Sequence, residues 1–285
     1  MIIRIDDAED ARLDRFRRIR DRDLRADGGR FVVESPRVVS RFLAAVDENR
    51  SEVDAVLLAE DQRLIDPESV PAPVMLADRD LMTAVSGYHF HGGAIAIGRR
   101  PRREPGLESL LERLPRTGAV TLIALAGITS MDNIGSIFRT VAALGGSGLV
   151  LDGDASDPML RRTIRISMGQ VFRVPWARVR TLEAVIPSLR AAAEIEPVAI
   201  ENLADATPLH RAVLPPRRML VIGNEGHGVS ADTLDACPTR LRIEGPPDLP
   251  ADEGPGGPDE RSLNAATAAA IALHAVMTRD AGGDD

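Results

Sequence analysis

The run AVTLIALAG, residues 119–127, most constrains the fold, because it is apolar along almost the whole length of a strand. A half-exposed strand alternates apolar and polar residues, whereas a continuous apolar run is typical of a parallel strand buried on both faces. Two further short apolar runs, GLVLDG and RRMLVIG, follow it, with helical patterns between. This alternation predicts an α/β fold with a mostly parallel sheet covered by helices on both sides.

Proline and arginine cluster in GRRPRREPG, residues 98–106, and predict a boundary between two α/β domains. We expect a charged helical segment over residues 1–28, a smaller domain over 29–105 and a larger domain over 116–280. A loop rich in proline, glycine and acidic residues spans 245–260. The first segment is interpreted as a solvent-exposed helix with paired charges, and an RNA-contacting arm is the alternative.

Cysteine use and hydropathy indicate the compartment. Cys237 is the one cysteine among 285 residues, which excludes an internal disulfide and suits a reducing cytoplasm. No run of about 18 apolar residues is present, so we expect no membrane span. The first residues are charged and lack the apolar region of a signal peptide, so we expect a cytoplasmic protein.

The charge is unevenly distributed along the chain. The net charge of −8 argues mildly against a nucleic-acid partner, yet every basic side chain other than histidine is an arginine, which pairs well with phosphate. No acidic residue lies between Pro158 and Leu182, a stretch rich in arginine. A local basic patch can bind RNA when the total charge is negative. The candidate RNA-binding residues of this stretch are Arg161, Arg162 and Arg165.

Several common site motifs are absent from the sequence. It has no Walker loop, no G-x-G-x-x-G after a strand, no H-E-x-x-H, no paired C-x-x-C and no G-x-S-x-G. His89 and His91 in YHFHGG could share one face of a strand as metal ligands, but no third ligand is evident. We interpret them as turn residues and expect no metal site.

Three polar or glycine-rich loops follow predicted strands: GITSMDN, GNEGHG and the long stretch IEGPPD…SLN. In parallel sheets, ligands bind beyond the carboxyl ends of the strands. We therefore expect these three loops to meet at one binding site.

The helix predicted within SMDNIGSIFRTVAALGGSG carries one charge on an otherwise apolar surface. At 100° per residue, Ile134, Ile137 and Val141 form a core stripe, and Arg139 points away from it. Small residues precede Arg139, so its guanidinium has space to bind an anion such as phosphate near the start of the helix. Asn133 is expected at the helix cap. The alternative is a solvated arginine and an ordinary cap.

Three segments together resemble a known family. NIGSIFRTVAALGGSGLVL, VIGNEGHGVS and SLNAATAAAIAL resemble the three motifs of the SpoU (TrmH) RNA ribose 2′-O-methyltransferases, of the SPOUT class. Upstream, FVVESPRVV and VSGYHFHGGAIAIGRRP resemble the ribosomal-protein-like RNA-binding domain that many members carry. The resemblance covers about residues 29–279. It implies a deep C-terminal trefoil knot, S-adenosylmethionine as cofactor, an RNA substrate and a homodimer.

The resemblance also implies which residues hold the cofactor. The second motif contacts S-adenosylmethionine at Gly223, in a turn that includes Asn224 and Gly226. Ile243 and Leu263 flank the adenine. Glycine, which has no side chain, lets a ligand approach the backbone closely, and an apolar lining suits adenine.

The catalytic residues are implied in the same way. The family assigns Arg139 to the 2′-oxygen and the adjacent phosphate. Because a guanidinium stays protonated, we expect Arg139 to hold phosphate and stabilise the developing alkoxide, not to act as a base. Asn133 is expected to orient Arg139 or the ribose, and Glu225 to lie at the rim. Ser262 and Asn264 are expected to hold the loops and the nucleotide, with a helix cap as the alternative role of Ser262.

The sequence departs from the family pattern in three places. The link before Ser262 is long and acidic where the family has a short one, FVVES replaces FVVEG, and SLNAA replaces SLNVS. We predict S-adenosylmethionine-dependent 2′-O-methylation of structured RNA, ribosomal RNA before transfer RNA. Transfer RNA methylation, self-protection against a ribosome-targeting antibiotic, and a non-catalytic RNA-binding knot protein are the alternatives.

Overall fold

The structure, a computed structural model, describes residues 1–17, 29–46, 52–87, 92–101, 103–245 and 262–281. His89 and His91, most of the predicted acidic loop and the second part of the N-terminal segment lie outside these ranges. The chain divides into two structural units. The first contains Met1–Glu104 and Asp157–Arg173, and the second contains Pro105–Ser156 and Val174–Asp285.

The described ranges form twelve β-strands and eight α-helices. Up to Glu104 they are β1 (Ile2–Arg4), β2 (Arg30–Glu34), α1 (Pro36–Ala44), β3 (Glu52–Ala59), β4 (Val74–Ala77), α2 (Arg79–Ser86) and β5 (Ala94–Arg99). Next come α3 (Leu107–Arg113), β6 (Val120–Ala126), α4 (Met131–Leu144), β7 (Gly148–Leu151) and α5 (Arg161–Ile166). The last are β8 (Trp176–Arg178), α6 (Leu182–Ala193), β9 (Glu196–Ile200), β10 (Thr207–Pro208), β11 (Arg217–Gly223), α7 (Ala231–Ala236), β12 (Thr239–Arg242) and α8 (Ala265–Ala281). Short 3₁₀ helices span Ala11–Phe16, Pro67–Ser69, Gln170–Phe172 and Leu209–Arg211.

The sheet of the second unit has the order β10-β12-β9-β11-β6-β7-β8, and every pairing in it is parallel. All the residues of β6 are buried, as its continuous apolar run predicted. Every second residue of β6 and two alternate residues of β11, Met219 and Val221, belong to one hydrophobic core with residues of α3 and α6. Helix α8 packs on β11. The predicted α/β fold is confirmed. The trefoil knot implied by the resemblance stays a prediction.

The register of this sheet aligns the ends of its central strands. Gly223 of β11 pairs with Ala126 of β6, and the preceding residue of β11, Ile222, pairs with Ile200 of β9. Ile200 in turn pairs with Leu241 of β12. Because parallel strands end at the same edge, the loops that follow these strands start side by side.

Helix α8 is held on this sheet by a buried charge. Arg218 of β11 is 1% exposed and pairs with Asp280 near the end of α8. Its Nε donates to Thr121 Oγ1 at 3.2 Å, and Nη1 donates to the Pro215 carbonyl at 2.9 Å. These partners satisfy a charge whose burial alone would be costly. Cys237 lies in the same unit, and burial raises the pKa of its thiol to about 11.

The first unit has its own sheet, in the order β1-β4-β3-β5-β2. Strand β5 runs antiparallel to both β2 and β3, whereas β1 and β3 run parallel to β4. The prediction of one exposed helix over residues 1–28 is wrong for residues 1–17, which form β1 and a 3₁₀ helix. The physical reason is burial: Leu13 and Phe16 enter the core of this unit.

The segment Asp157–Arg173 returns to the first unit, although the sequence analysis assigned it to the larger domain. The ring centroid of Phe172 lies 5.0 Å from that of Phe42 and 5.8 Å from that of Phe31. Arg100 Nη2 lies 2.7 Å from Asp157 Oδ2. An aromatic cluster and ion pairs therefore complete this unit with residues distant in sequence. Across the described residues, no helix is both long and apolar enough to cross a membrane.

Ser35 joins β2 to α1 in a strained conformation. Its φ of 74° and ψ of 143° lie in a region that residues with a Cβ rarely adopt. The motif that this stretch resembles has glycine here, and the Ser35 side chain makes no capping hydrogen bond to α1. The departure FVVES therefore places a serine where the backbone favours glycine.

We expect Ser35→Gly to raise the free energy of unfolding by about 1 kcal/mol, because relief of strain exceeds the entropy gained by the unfolded chain. Urea titration of the purified protein measures the change. Ser35→Ala is the control and should give no gain, since it keeps the Cβ. Equal stability of the two variants would contradict strain at this position.

Candidate active site

Helix α4 begins earlier than the sequence predicted. Ser130 is the cap: its Oγ accepts the backbone N–H of Asn133 at 3.3 Å. Asn133 is the third residue of the helix, so its prediction as the cap is wrong. Its side chain is thereby freed from capping and is buried at 7% exposure. The helix ends at Gly145 in the left-handed conformation, as predicted from the glycine pair.

One chain of hydrogen bonds joins the three predicted loops. Asn133 Nδ2 donates to Glu225 Oε1, and Asn264 Nδ2 donates to Asn133 Oδ1 at 2.9 Å. Glu225 Oε1 also accepts from Asn264 Nδ2 at 3.3 Å and from the backbone N–H of Ala265 at 3.1 Å. The structure thus brings together the loops after β6, β11 and β12.

The cap of α8 sets the direction of this chain. Asn264 Oδ1 accepts the backbone N–H groups of Ala266 at 3.0 Å and Thr267 at 3.3 Å. Its Nδ2 must therefore point toward Asn133, whose carbonyl oxygen accepts it. Asn133 Nδ2 is then left to donate to Glu225. Asn264, and not Ser262, is the helix cap.

The loop after β11 is folded tightly on itself. Asn224 Oδ1 accepts the N–H of Gly226 at 2.8 Å, and Asn224 Nδ2 donates to the Gly127 carbonyl at 2.9 Å. A Cβ on Gly223 would lie 2.4 Å from the carbonyl carbon of Gly228. The glycine at 223 is thus required by the loop's own backbone, and the Asn224 side chain is committed to the loop.

Two carboxylates missed by the sequence analysis hold these loops. Glu201, just after β9, accepts the Val229 N–H at 2.8 Å. Asp152, just after β7, accepts the Gly127 N–H at 2.7 Å, and burial raises its pKa. Their position directly after a predicted buried strand was the available signal, but neither lies in one of the three motifs.

A cleft with about 510 Å³ of open space, its mouth included, lies at the carboxyl ends of β9, β11 and β12. The predicted residues that line it are Gly223, Asn224, Glu225, Ile243, Ser262 and Leu263. Gly226 belongs to the same turn but does not line it. Leu263 is 42% exposed although it is apolar. The cleft therefore offers an apolar wall beside polar backbone at the edge of the sheet.

Arg139 lies on the exposed side of α4, as helical spacing predicted. No hydrogen bond or ion pair joins its side chain to another residue in the described ranges. The buried stripe of the same helix contains Ile134, Ile137 and Val141. The guanidinium is therefore positioned on a rigid helix and available to an external anion.

These observations agree with one protein family. The SpoU rRNA Methylase family matches residues 121–274, which contain the three loops, the cleft and Arg139. The chain belongs to this family. It is an RNA methyltransferase.

Relatives extend the similarity beyond the matched region. An uncharacterized tRNA/rRNA methyltransferase of Mycobacterium bovis is 33% identical over 279 residues, covering 94% of this chain and 89% of that protein. The 23S rRNA (guanosine-2′-O-)-methyltransferase RlmB of Acinetobacter baylyi is 25% identical over 219 residues, covering 75% and 84%. The SpoU methyltransferase AviRb of Streptomyces viridochromogenes has a TM-score of 0.74 at 24% identity, covering 96% and 99%. This last likeness supports the fold.

The three arginines of the basic stretch belong to the first unit of this SpoU protein. Arg161 Nε donates to Glu34 Oε2 at 2.8 Å, so Arg161 is largely committed within the protein. Arg162 and Arg165 are exposed. As for metals, the described residues hold no group of three histidine, cysteine or acidic side chains placed to share an ion.

Asn133→Asp should disturb the hydrogen-bond chain of this SpoU site, because it places a second carboxylate against Glu225. We expect the free energy of unfolding to fall by about 2 kcal/mol at pH 8. Two close carboxylates raise each other's proton affinity, so protonation of one should restore stability as the pH falls toward 5. Thermal melts between pH 5 and 8 measure this.

The matched control is the double variant Asn133→Asp with Glu225→Gln. The glutamine amide can donate to the new carboxylate while its oxygen accepts the Ala265 N–H, so stability at pH 8 should recover. If the Asn133→Asp protein were as stable as the parent at pH 8, or were not rescued by Glu225→Gln, the hydrogen bonds among Asn133, Glu225 and Asn264 would not be what holds the loops together.

Proposed function

We propose that this chain transfers a methyl group from S-adenosylmethionine to a ribose 2′-oxygen of ribosomal RNA. The observation that carries the proposal is the joining of the three motif loops by Asn133, Glu225 and Asn264 beside the cleft. Arg139 on α4, which is exposed and has no side-chain partner among the described residues, adds a cation for the RNA. The family of RNA methyltransferases and the name of the RlmB relative support ribose methylation.

The cleft fits S-adenosylmethionine, the cofactor of the reaction. Ile243 and Leu263 provide an apolar wall that suits adenine, and Glu201 and Glu225 provide negative charge that suits a cationic ligand. The similar AviRb structure has also been solved with the cofactor AdoMet. When bound, the cofactor supplies an electrophilic methyl group on a sulfonium.

The second-motif turn is assigned to the cofactor through its main chain. Gly223 and Asn224 line the cleft, and the Asn224 side chain is already used within the loop. Gly226 contributes by the shape of the turn, since its N–H is bonded to Asn224. Recognition of S-adenosylmethionine is therefore assigned to backbone groups of this turn and to the apolar wall of the cleft.

Arg139 is assigned to the RNA. A ribose hydroxyl is a poor nucleophile and must be aligned with the methyl group, so positioning supplies much of the acceleration. The guanidinium stays protonated and therefore binds the adjacent phosphate and stabilises negative charge on the 2′-oxygen. It does not serve as the base.

The remaining site residues position the loops or the nucleotide. Asn133 is buried with both amide atoms bonded, so it fixes the first loop to the other two. Glu225 and Asn264 complete that link. Ser262 is exposed at the cleft, free of the capping role, and is assigned to the nucleotide.

The first unit is assigned to RNA binding, in keeping with its resemblance to a ribosomal-protein-like domain. Within the basic stretch, Arg162 and Arg165 are assigned to RNA, and Arg161 supports the stretch through Glu34. The family resemblance further leads us to expect a cytoplasmic homodimer. Transfer RNA remains the alternative substrate, because the Mycobacterium bovis relative is named for both RNA classes.

Arg139→Ala should lower kcat for methyl transfer by about 10²–10³-fold, because the variant loses a preorganised cation at the developing charge. The dissociation constant for S-adenosylmethionine should stay within about twofold, since Arg139 does not line the cleft. Calorimetry measures the dissociation constant, and steady-state methyl transfer at saturating substrate measures kcat. Arg116→Ala, which removes an exposed arginine before β6 at the opposite edge of the sheet, is the matched control. Transfer that survives Arg139→Ala would remove Arg139 from the mechanism.

The reaction itself is tested with labelled S-adenosylmethionine and total RNA separated into ribosomal and transfer pools. A 2′-O-methyl group blocks alkaline cleavage, so label in alkali-resistant dinucleotides identifies ribose methylation. We expect that label in the ribosomal pool. Label in the transfer pool would select the alternative substrate, and no label with intact cofactor binding would favour a non-catalytic RNA-binding protein.

A further inference from the structure

Besides the packing of Phe172 on Phe31 and Phe42, two polar contacts at separate points hold the returning segment Asp157–Arg173 against β2 and α1 within the first unit. At one point, Arg161 of α5 pairs with Glu34 at the end of β2. At the other, Arg41 of α1 donates from Nη1 to the carbonyl of Met168. A Cβ on Gly169 would lie 3.0 Å from the Val38 side chain, so the second point is tightly packed.

These two contacts define the register between the segment and α1. Arg37 lies three residues after Glu34 and one helical turn before Arg41. Arg165 lies one helical turn after Arg161 and three residues before Met168. Both arginines therefore lie in the interval between the two contacts, each on the helical stripe that makes a contact. Both are exposed.

The charges in this interval are unbalanced. No hydrogen bond or ion pair joins the side chain of Arg37 or Arg165 to another residue of the described ranges. The acidic groups at this surface are engaged internally, Glu34 by Arg161 and Asp157 by Arg100. No acidic residue occurs in Pro36–Val46 or in Pro158–Arg173. Two cations on one surface repel each other unless an anion lies between them.

We infer that Arg37 and Arg165 form a phosphate-binding pair that holds the RNA backbone. The inference rests on the proposed function and deepens it: Arg165 belongs to the basic stretch already assigned to RNA, and the structure adds Arg37 as its partner. Arg37 lies in α1 and Arg165 in α5, which is far along the chain but belongs to the same unit, so the pair exists only in the folded protein. It contributes affinity for RNA and takes no part in methyl transfer.

The test is binding of the full-length protein to a fluorescein-labelled RNA hairpin of arbitrary sequence. Phosphate contacts are independent of sequence, so the natural substrate is not required. Anisotropy titrations at several salt concentrations give the dissociation constant and its salt dependence. For Arg37→Ala with Arg165→Ala we expect about tenfold weaker binding near 100 mM salt. The slope of log K against log salt should fall by about 1 to 2, and each single variant should give about half of this.

The matched control is Arg15→Ala, which removes the same charge from an exposed arginine of the same unit. Arg15 lies beside the start of β3, where its Nη1 donates to the Asp54 carbonyl. This variant should bind the hairpin within twofold of the parent. If Arg15→Ala weakened binding to the hairpin as much as the double variant does, the effect would follow from net charge alone, and the proposed phosphate-binding pair would be wrong. Unchanged affinity and slope in the double variant would overturn it as well.

Two further measurements keep the outcomes distinct. Melting temperatures of the Arg37 and Arg165 variants should match the parent, because both side chains are exposed and without partners in the described ranges. Methyl transfer to the RNA pools tests the proposed function separately. A protein that methylates RNA but binds the hairpin equally well without the two arginines overturns the pair alone. A protein that shows the binding loss without methylation overturns the proposed function alone.

Discussion

The candidate site depends on one hydrogen-bond chain whose direction is set by a helix terminus. Asn264 must give its carbonyl oxygen to the free N–H groups of α8, so its amide nitrogen faces Asn133. Asn133 in turn presents its own nitrogen to Glu225. Each hydrogen bond fixes the orientation of the next side chain, so all the donors and acceptors of this hydrogen-bond chain are paired in a single arrangement. Backbone capping in α8 thereby sets the geometry of loops that follow three different strands.

The parallel sheet makes this chain possible. Its register ends β6, β9, β11 and β12 at one edge, and the two ends of α8 are tied by Asn264 and by the pair of Arg218 with Asp280. A helix held at both ends cannot slide along the sheet. The cleft beside it therefore has walls whose spacing is set by strand pairing and helix packing.

Local patterns predicted the parts of this molecule that depend on local physics. The apolar run of β6 indicated a buried parallel strand, and helical spacing placed Arg139 outside the core. Capping was assigned one turn too late in α4, because Ser130 and Asn133 are both good cap residues. The role of Glu201 and the return of Asp157–Arg173 depend on partners far along the chain. Periodicity within a single segment carries no information about such partners.

Total charge is a poor guide to the surface of this protein. In the first unit, Asp54 pairs with Arg30, Asp157 with Arg100, and Glu34 with Arg161. These acidic groups contribute to the net charge of −8 and yet neutralise arginines within the fold. What an RNA molecule meets depends on which arginines are left over by this internal pairing.

The return of Asp157–Arg173 to the first unit has a consequence for synthesis on the ribosome. Phe31 and Phe42 emerge early, but Phe172, which packs on both, emerges only after β6, α4 and β7. The first unit is therefore incomplete while β6 and β7 of the second are already outside the exit tunnel. The nascent chain must keep an aromatic surface uncovered through that interval, so the first unit can complete its fold only after the second has begun to emerge.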